Sequence, residues 1–156
     1  MVIEGTASAS ATERFRQRFA SLDPTHFRLL PNLWVSSIGL GTYLGDGDER
    51  TDALYAQAIR TAITHGCNVI DTDINYRCQR SERVIGQAIS DLIRDGVAQR
   101  DEILIATKGG FIPYDGAPPP DSYGYIQRVF VLPGIIRPSD VVADCHCMAP
   151  SYLRHQ

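Results

Sequence analysis

An α/β fold, with parallel strands alternating with helices, is what this 156-residue sequence predicts, and three observations carry it. Two short apolar runs have the length of buried strands: Asn68–Thr72 around Val69 and Ile70, and Glu102–Thr107 around Ile103, Leu104 and Ile105. Between them, Ser81–Arg94 sets Val84, Ile85, Ala88, Ile89, Leu92 and Ile93 at helical spacing. Each run also ends on an ionisable residue, Asp71 and Lys108, with Tyr76 in the turn after the first. A strand–helix–strand unit makes its two strands parallel neighbours, so their C-terminal ends emerge on one face, where Asp71, Tyr76 and Lys108 can meet.

In chain order, Met1–Thr12 is Ala, Ser and Thr with little periodicity and reads as a frayed tail. Glu13–Leu22 predicts a short helix, with Phe15, Phe19 and Leu22 at helical spacing and Asp23-Pro24 as its stop. His26–Leu30 and Leu33–Ser36 are extended pieces around Pro31-Asn32, the pattern of a hairpin, and His26 reads as a surface histidine. Residues 1–32 thus form a tail, helix and hairpin ahead of a domain at 33–156. Ile38–Thr42 predicts the first buried strand, leading through Gly39 and Gly41 into a loop with Gly45 and Gly47. A dinucleotide-binding loop needs glycines at relative positions one, three and six; the third, Gly45, falls at seven, which excludes that loop. Gly39 and Gly41 then mark a turn, close packing of backbone, or close approach to a ligand.

Asp48–His65 predicts a helix whose inward face carries Leu54, Ala58, Ile59, Ala62 and Ile63, with Gly66 as its stop. Gly96 ends the second helix in the same way. Ser81 and Glu82 suit that helix's start, although Val84 stands where a capping box would have Glu. His65 lies in a last helical turn, where a cation is favoured, and needs no catalytic role. Cys67, just before a strand, reads as core.

Beyond Lys108 the pattern changes. Gly109–Pro138 holds six prolines and five interleaved aromatic residues with no sustained period. A loop longer than about 12–15 residues tends to be a functional lid or a linker, so this one covers a substrate, makes an oligomer contact, or is a mobile excursion. Ser139–Asp144 predicts the start of a helix, and Pro150 the first turn of another. Cys145-His146-Cys147 is the one cluster with metal-ligand chemistry, but a closed zinc site needs a second ligand pair that the chain does not place, so no metal is expected.

The chemistry open to Asp71, Tyr76 and Lys108 follows from their ordinary pKa values. A tyrosine hydroxyl, at about 10 in water, is a proton reservoir at neutral pH, and a neighbouring ammonium favours its phenolate. Tyr76 is therefore a candidate general acid, with a carboxylate at Asp71 keeping Lys108 charged and oriented, and the trio suits protonation of a carbonyl oxygen as hydride reaches the carbon. A surface tyrosine beside an ordinary Asp–Lys pair shows the same spacing.

Four segments, IGLGTY (Ile38–Tyr43), NVIDTDINY (Asn68–Tyr76), SERVIGQAI (Ser81–Ile89) and ILIATK (Ile103–Lys108), resemble the aldo-keto reductase family in order and rough spacing. The resemblance covers Leu33 to about Gly109. It implies catalytic roles for Asp71, Tyr76 and Lys108, contacts to cofactor or substrate from Gly41, Thr42, Tyr43 and Asp71, and NADPH-dependent reduction of an aldehyde or ketone. One departure is Asp73, where the family has Ala; a second carboxylate pointing into the site would raise the pKa of Asp71. Alternating strands and helices with reactive residues at the strands' C-terminal ends suit the N-terminal part of a (β/α)8 TIM barrel, with about three strand–helix units visible where a whole barrel takes ~250 residues. The family's catalytic His follows a later strand than any that could precede His146 or His155, so the chain alone is expected to be an incomplete, inactive fragment that tends to self-associate. A non-catalytic binding or regulatory subunit and a structural α/β fragment stand as alternatives.

Composition narrows the rest. A formal charge of -3 and a pI near 5.7 argue against a nucleic-acid partner, which calls for a basic face. No run nears the ~20 apolar residues of a membrane span and the N-terminus lacks a signal-peptide pattern, so a cytoplasmic protein with four reduced cysteines and a small carbonyl compound as partner is expected.

Overall fold

The computed structural model describes residues 3–156; Met1 and Val2, the start of the predicted tail, lie outside the described residues. The rest of that tail is not frayed. Helix α1 (Ala9–Arg18) begins at Ala9 rather than Glu13, because Ser8 is extended and its Oγ accepts from Ala11 N at 3.2 Å, an N-cap followed by good helix formers. Ala11, Thr12 and Phe15 are fully buried, and the helix stops at Arg18, short of Leu22.

The hairpin forms as expected: β1 (Phe27–Leu30) pairs antiparallel with β2 (Leu33–Ser36), and Leu30 faces Leu33 across the 32/33 boundary drawn from the sequence. Asn68, fully buried, fastens this hairpin to the backbone beside the next strands. Its Oδ1 accepts from Ser36 N at 2.9 Å, and its Nδ2 donates to Trp34 O at 2.9 Å and Glu102 O at 3.2 Å.

Strands β3 (Leu40–Gly41), β4 (Val69–Asp71) and β5 (Leu104–Ala106) form one parallel sheet in that order, with Gly41 and Ala106 both in register with Asp71. Helix α2 (Glu49–Thr64) links the first pair and α3 (Arg80–Arg94) the second. The helices pack on each other and, through Ile59, Ile63, Ile85, Ile89 and Leu92, share a core with Ile70 and Ile103. Alternate strand residues Gly41, Asp71 and Ala106 are exposed, so both helices lie on one face of the sheet and the other is open. Among the described residues the parallel sheet has these three strands and does not close on itself.

Local expectations fail where a partner is lacking. Ile38–Thr42 is not a buried strand: only Leu40 and Gly41 pair, Ile38 is 65% exposed, and its carbonyl is taken by Ser36 Oγ (2.7 Å) and Cys67 Sγ (3.2 Å) instead of a ladder. Leu54 is exposed because five residues separate it from Ile59, about 140° around the helix. Ser81 does not cap α3. Gln79 stands at the N-cap with no side-chain capping hydrogen bond, while Ser81 Oγ donates to Thr42 O at 2.7 Å. Glu102 belongs to a 3-10 turn, Arg100–Glu102, and β5 starts after it.

The proline-rich segment is ordered into a second core. Helix α4 (Ser122–Ile126) runs into a π-helical turn (Gln127–Val131), β6 (Val141–Val142) pairs with β7 (His146–Cys147), and α5 (Pro150–His155) starts on Pro150 as expected. Ile112, Ile126, Phe130, Ile136, Cys147 and Tyr152 are buried together. The helix expected at Ser139–Asp144 is replaced by a 3-10 turn and strand β6, since the β-branched Val141 and Val142 extend and Ala143 and Asp144 take left-handed φ of 50° and 58° to turn the chain. This unit reaches the turn after Tyr76: Gly116 N donates to Cys78 O at 2.9 Å, Gln79 Nε2 to Tyr114 O at 3.0 Å, and Arg83 pairs with Asp115 at 2.7 Å. No helix among the described residues is long and apolar enough to cross a membrane.

Candidate active site

At the C-terminal ends of β4 and β5 the structure brings Asp71, Tyr76 and Lys108 together. The Lys108 ammonium donates to Asp71 Oδ1 at 2.8 Å, Thr72 O at 2.7 Å and Tyr76 Oη at 3.3 Å, a distinct acceptor for each of its three N–H bonds. It also lies 4.9 Å from the Tyr76 ring centroid. Lys108 is the only lysine in a chain with fourteen arginines. A compact ammonium can sit at the convergence of three acceptors, where a planar guanidinium could not. The Asp71 hydrogen bond raises the Lys108 pKa above its ordinary value against partial desolvation, with Tyr76 adding in the same direction.

The order of strand and turn explains the meeting. Parallel pairing sets Asp71 level with Ala106, so Lys108 projects past the end of β5 on the open face. Tyr76 arrives through a turn in which Tyr76 N donates to Asp73 O at 3.0 Å. Asp73 is buried, at 8% exposed, and its Oδ1 accepts from Asn75 N at 3.4 Å, bracing the turn.

The predicted cofactor contacts divide into two kinds. Gly41 lies on the open face next to Asp71, and a Cβ there would meet no atom within 4 Å. Tyr43 is 66% exposed and its ring meets that of Tyr76 edge to face with centroids 5.0 Å apart. Thr42 is buried beneath them: its N and Oγ1 both donate to Asp71 O at 3.1 Å, steadying the backbone of the carboxylate. Gly41, Tyr43 and Asp71 are thus exposed together on the open side of the sheet, whereas the Thr42 side chain is buried. Sequence reading missed Thr72 O as an acceptor for Lys108 and Ser81 as the support of Thr42; a backbone carbonyl carries no sequence signal, and the Ser81 hydroxyl looks like a cap.

Elsewhere, His26 Nε2 lies 3.0 Å from Gly66 O, a structural contact. Cys147 is buried in the second core, which takes it out of the Cys145-His146-Cys147 cluster, and Cys145 Sγ lies 3.3 Å from His146 Nδ1.

Comparisons with known proteins agree with the site's segments. The model of the aldo/keto reductase family matches residues 37–129. Aldo-keto reductase YhdN of Bacillus subtilis (strain 168) is 35% identical over 80 residues, which is 47% of this chain and 22% of that protein. The match thus spans less than a quarter of that relative's length. No solved structure matches the chain.

Proposed function

The chain belongs to the aldo/keto reductase family, and on that premise we propose that Asp71, Tyr76 and Lys108 are the proton-donating side of an NADPH-dependent oxidoreductase acting on an aldehyde or ketone. The observation that carries the reading is the single ammonium shared by the Asp71 carboxylate and the Tyr76 hydroxyl. Because Lys108 donates to Tyr76 Oη, the phenol's own hydrogen is left free to face a carbonyl oxygen. As that oxygen gains charge, Tyr76 passes it the proton, and the adjacent ammonium stabilises the phenolate left behind. Asp71 and Thr72 O satisfy the other two N–H bonds, so the ammonium keeps its charge and direction. Gly41, Tyr43 and Asp71 would hold the nicotinamide end of the cofactor, with Thr42 steadying Asp71 from below. NADPH, when bound, supplies the hydride.

Asp71 and Lys108 are 52% and 45% exposed, and the sheet face beneath them is uncovered. In this state water reaches the site, so the 156 residues alone are read as inactive until that face is covered, as the rest of a TIM barrel would cover it. The outer edges of β3 and β5 and the open face favour self-association meanwhile.

A chimera tests the reading: the matched stretch of YhdN is replaced by the corresponding residues of this chain, and NADPH-dependent turnover of an aldehyde is followed. Tyr76→Phe is expected to lower turnover by ~10²–10⁴-fold with nearly unchanged NADPH affinity, and Lys108→Met to behave similarly. Full turnover in the Phe variant would remove Tyr76 from the mechanism.

A further inference from the structure

Three consecutive non-glycine residues directly after Tyr76 have left-handed backbone: Arg77 (φ 51°), Cys78 (φ 54°) and Gln79 (φ 69°). L-residues adopt this region at a cost, and a run of three persists only where the surroundings impose it. The first of them is the most firmly held. The Arg77 side chain is 2% exposed; its Nε donates to Asp46 O at 2.8 Å, and its Nη2 to Asp52 Oδ1 at 2.6 Å and Asp48 O at 3.4 Å. Its guanidinium lies 5.1 Å from the Tyr55 ring, and Tyr55 Oη donates to Leu44 O at 2.6 Å. Every one of these partners belongs to α2 or to the loop between β3 and α2.

One guanidinium therefore ties the turn leaving β4 to the loop leaving β3. The two segments carry Tyr76 and Tyr43, whose rings meet edge to face. Arg77 Nη1 is buried with no partner among the described residues, an orphaned donor in an otherwise satisfied side chain.

We propose that Arg77 is a positioning residue: by clamping the left-handed turn to Asp46, Asp48 and Asp52 it sets the Tyr76 ring against Lys108 and Tyr43. Its functional meaning rests on the role proposed for Tyr76, but its geometry does not. Without the clamp the turn relaxes toward ordinary φ values, and Tyr76, one residue upstream, swings away from Lys108. Asp71 and Lys108 are held by β4 and β5 and stay paired.

The single lysine makes this measurable in the chain as it stands. With ¹³C-lysine the ε-methylene signal reports Lys108 alone, and the ring current of Tyr76 shifts it; Tyr76→Leu gives the size of that shift. Arg77→Met is expected to remove more than half of it, and Asp52→Asn a smaller part, while the isoleucine methyl signals of the main core stay dispersed and Asp71→Asn still changes the Lys108 titration in the Arg77→Met background. Folded Arg77→Met protein with the full shift would overturn the proposal. So would a Tyr76→Leu variant with no shift to lose, or collapse of the whole spectrum in both Arg77→Met and Asp52→Asn, which would make the ion pair purely structural. An inactive chimera would sink the reductase reading and leave this result standing.

Discussion

Replacing Asn68 with alanine removes three hydrogen bonds from the place where the hairpin meets β4 and β5. Ser36 N and Glu102 O lie in buried residues and would be left without Asn68, at about 1–3 kcal/mol each; Trp34 O, in a half-buried residue, is reached by water and costs nearer 1 kcal/mol. Allowing for local relaxation, the loss is about 3–5 kcal/mol, a large part of the ~5–15 kcal/mol that a domain has. With a urea slope of about 2 kcal/mol/M, the midpoint falls by about 1.5–2.5 M. Trp34, the only tryptophan, belongs to β2 and reports this unit by fluorescence. Ser36→Ala is the internal control. It loses Asn68 N→Ser36 Oγ and Ser36 Oγ→Ile38 O, but Ile38 O keeps Cys67 Sγ, so about 1–2 kcal/mol is expected. A midpoint shift under about 0.5 M for Asn68→Ala, or one no larger than that of Ser36→Ala, would refute the claim that Asn68 pins the hairpin to the sheet.

Acid sensitivity should centre partly on Asp52: burial pushes its carboxyl up, but hydrogen bonds from Arg80 and Arg77 outweigh this and leave it below the usual range. A depressed carboxylate stabilises the fold above its unfolded value and loses that stabilisation as pH falls through the folded one, so stability should drop below about pH 4. The drop should be shallower in Asp52→Asn, as measured by thermal midpoints across pH. Tyr152→Phe in the second core should cost only about 0.5–1.5 kcal/mol by urea denaturation, because Phe111 O loses the Tyr152 hydroxyl at 2.5 Å yet keeps Gln156 Nε2 at 2.9 Å. Fluorescence titration of the 156-residue chain with NADPH, paired with an aldehyde turnover assay, should give weak or absent binding and no turnover; tight binding with turnover would show that the open face is no obstacle.

The parallel unit was legible because each of its signals is local. Val69-Ile70 and Ile103–Ile105 have strand length, α3 has an unbroken apolar stripe, and Asp71 and Lys108 end their runs, so handedness alone brings them together. What the sequence hid depends on partners distant in the chain. Ile38 reads as core but stands beside an unpaired edge, and Leu54 lies on a helix whose buried contact is carried by Ile59 and Ile63. The second core is gathered from Ile112, Phe130, Cys147 and Tyr152, pieces too short and too widely spaced to leave a period. The left-handed run at Arg77, Cys78 and Gln79 has no glycine or asparagine to announce it.

If Asp71, Tyr76 and Lys108 act as one proton-handling unit, the titration of Lys108 must report both partners. In ¹³C- or ¹⁵N-lysine-labelled protein one signal reports the site, since no other lysine exists. Its pKa should lie above the ordinary lysine value, raised first by Asp71 and then by Tyr76 against desolvation. A raised folded value means that the ion pair's stabilisation is complete below the ordinary lysine pKa and disappears as pH climbs through the folded one. Asp71→Asn should bring the value down most and Tyr76→Phe by less. An ordinary value in the parent protein, or one that neither substitution moves, would contradict the claim.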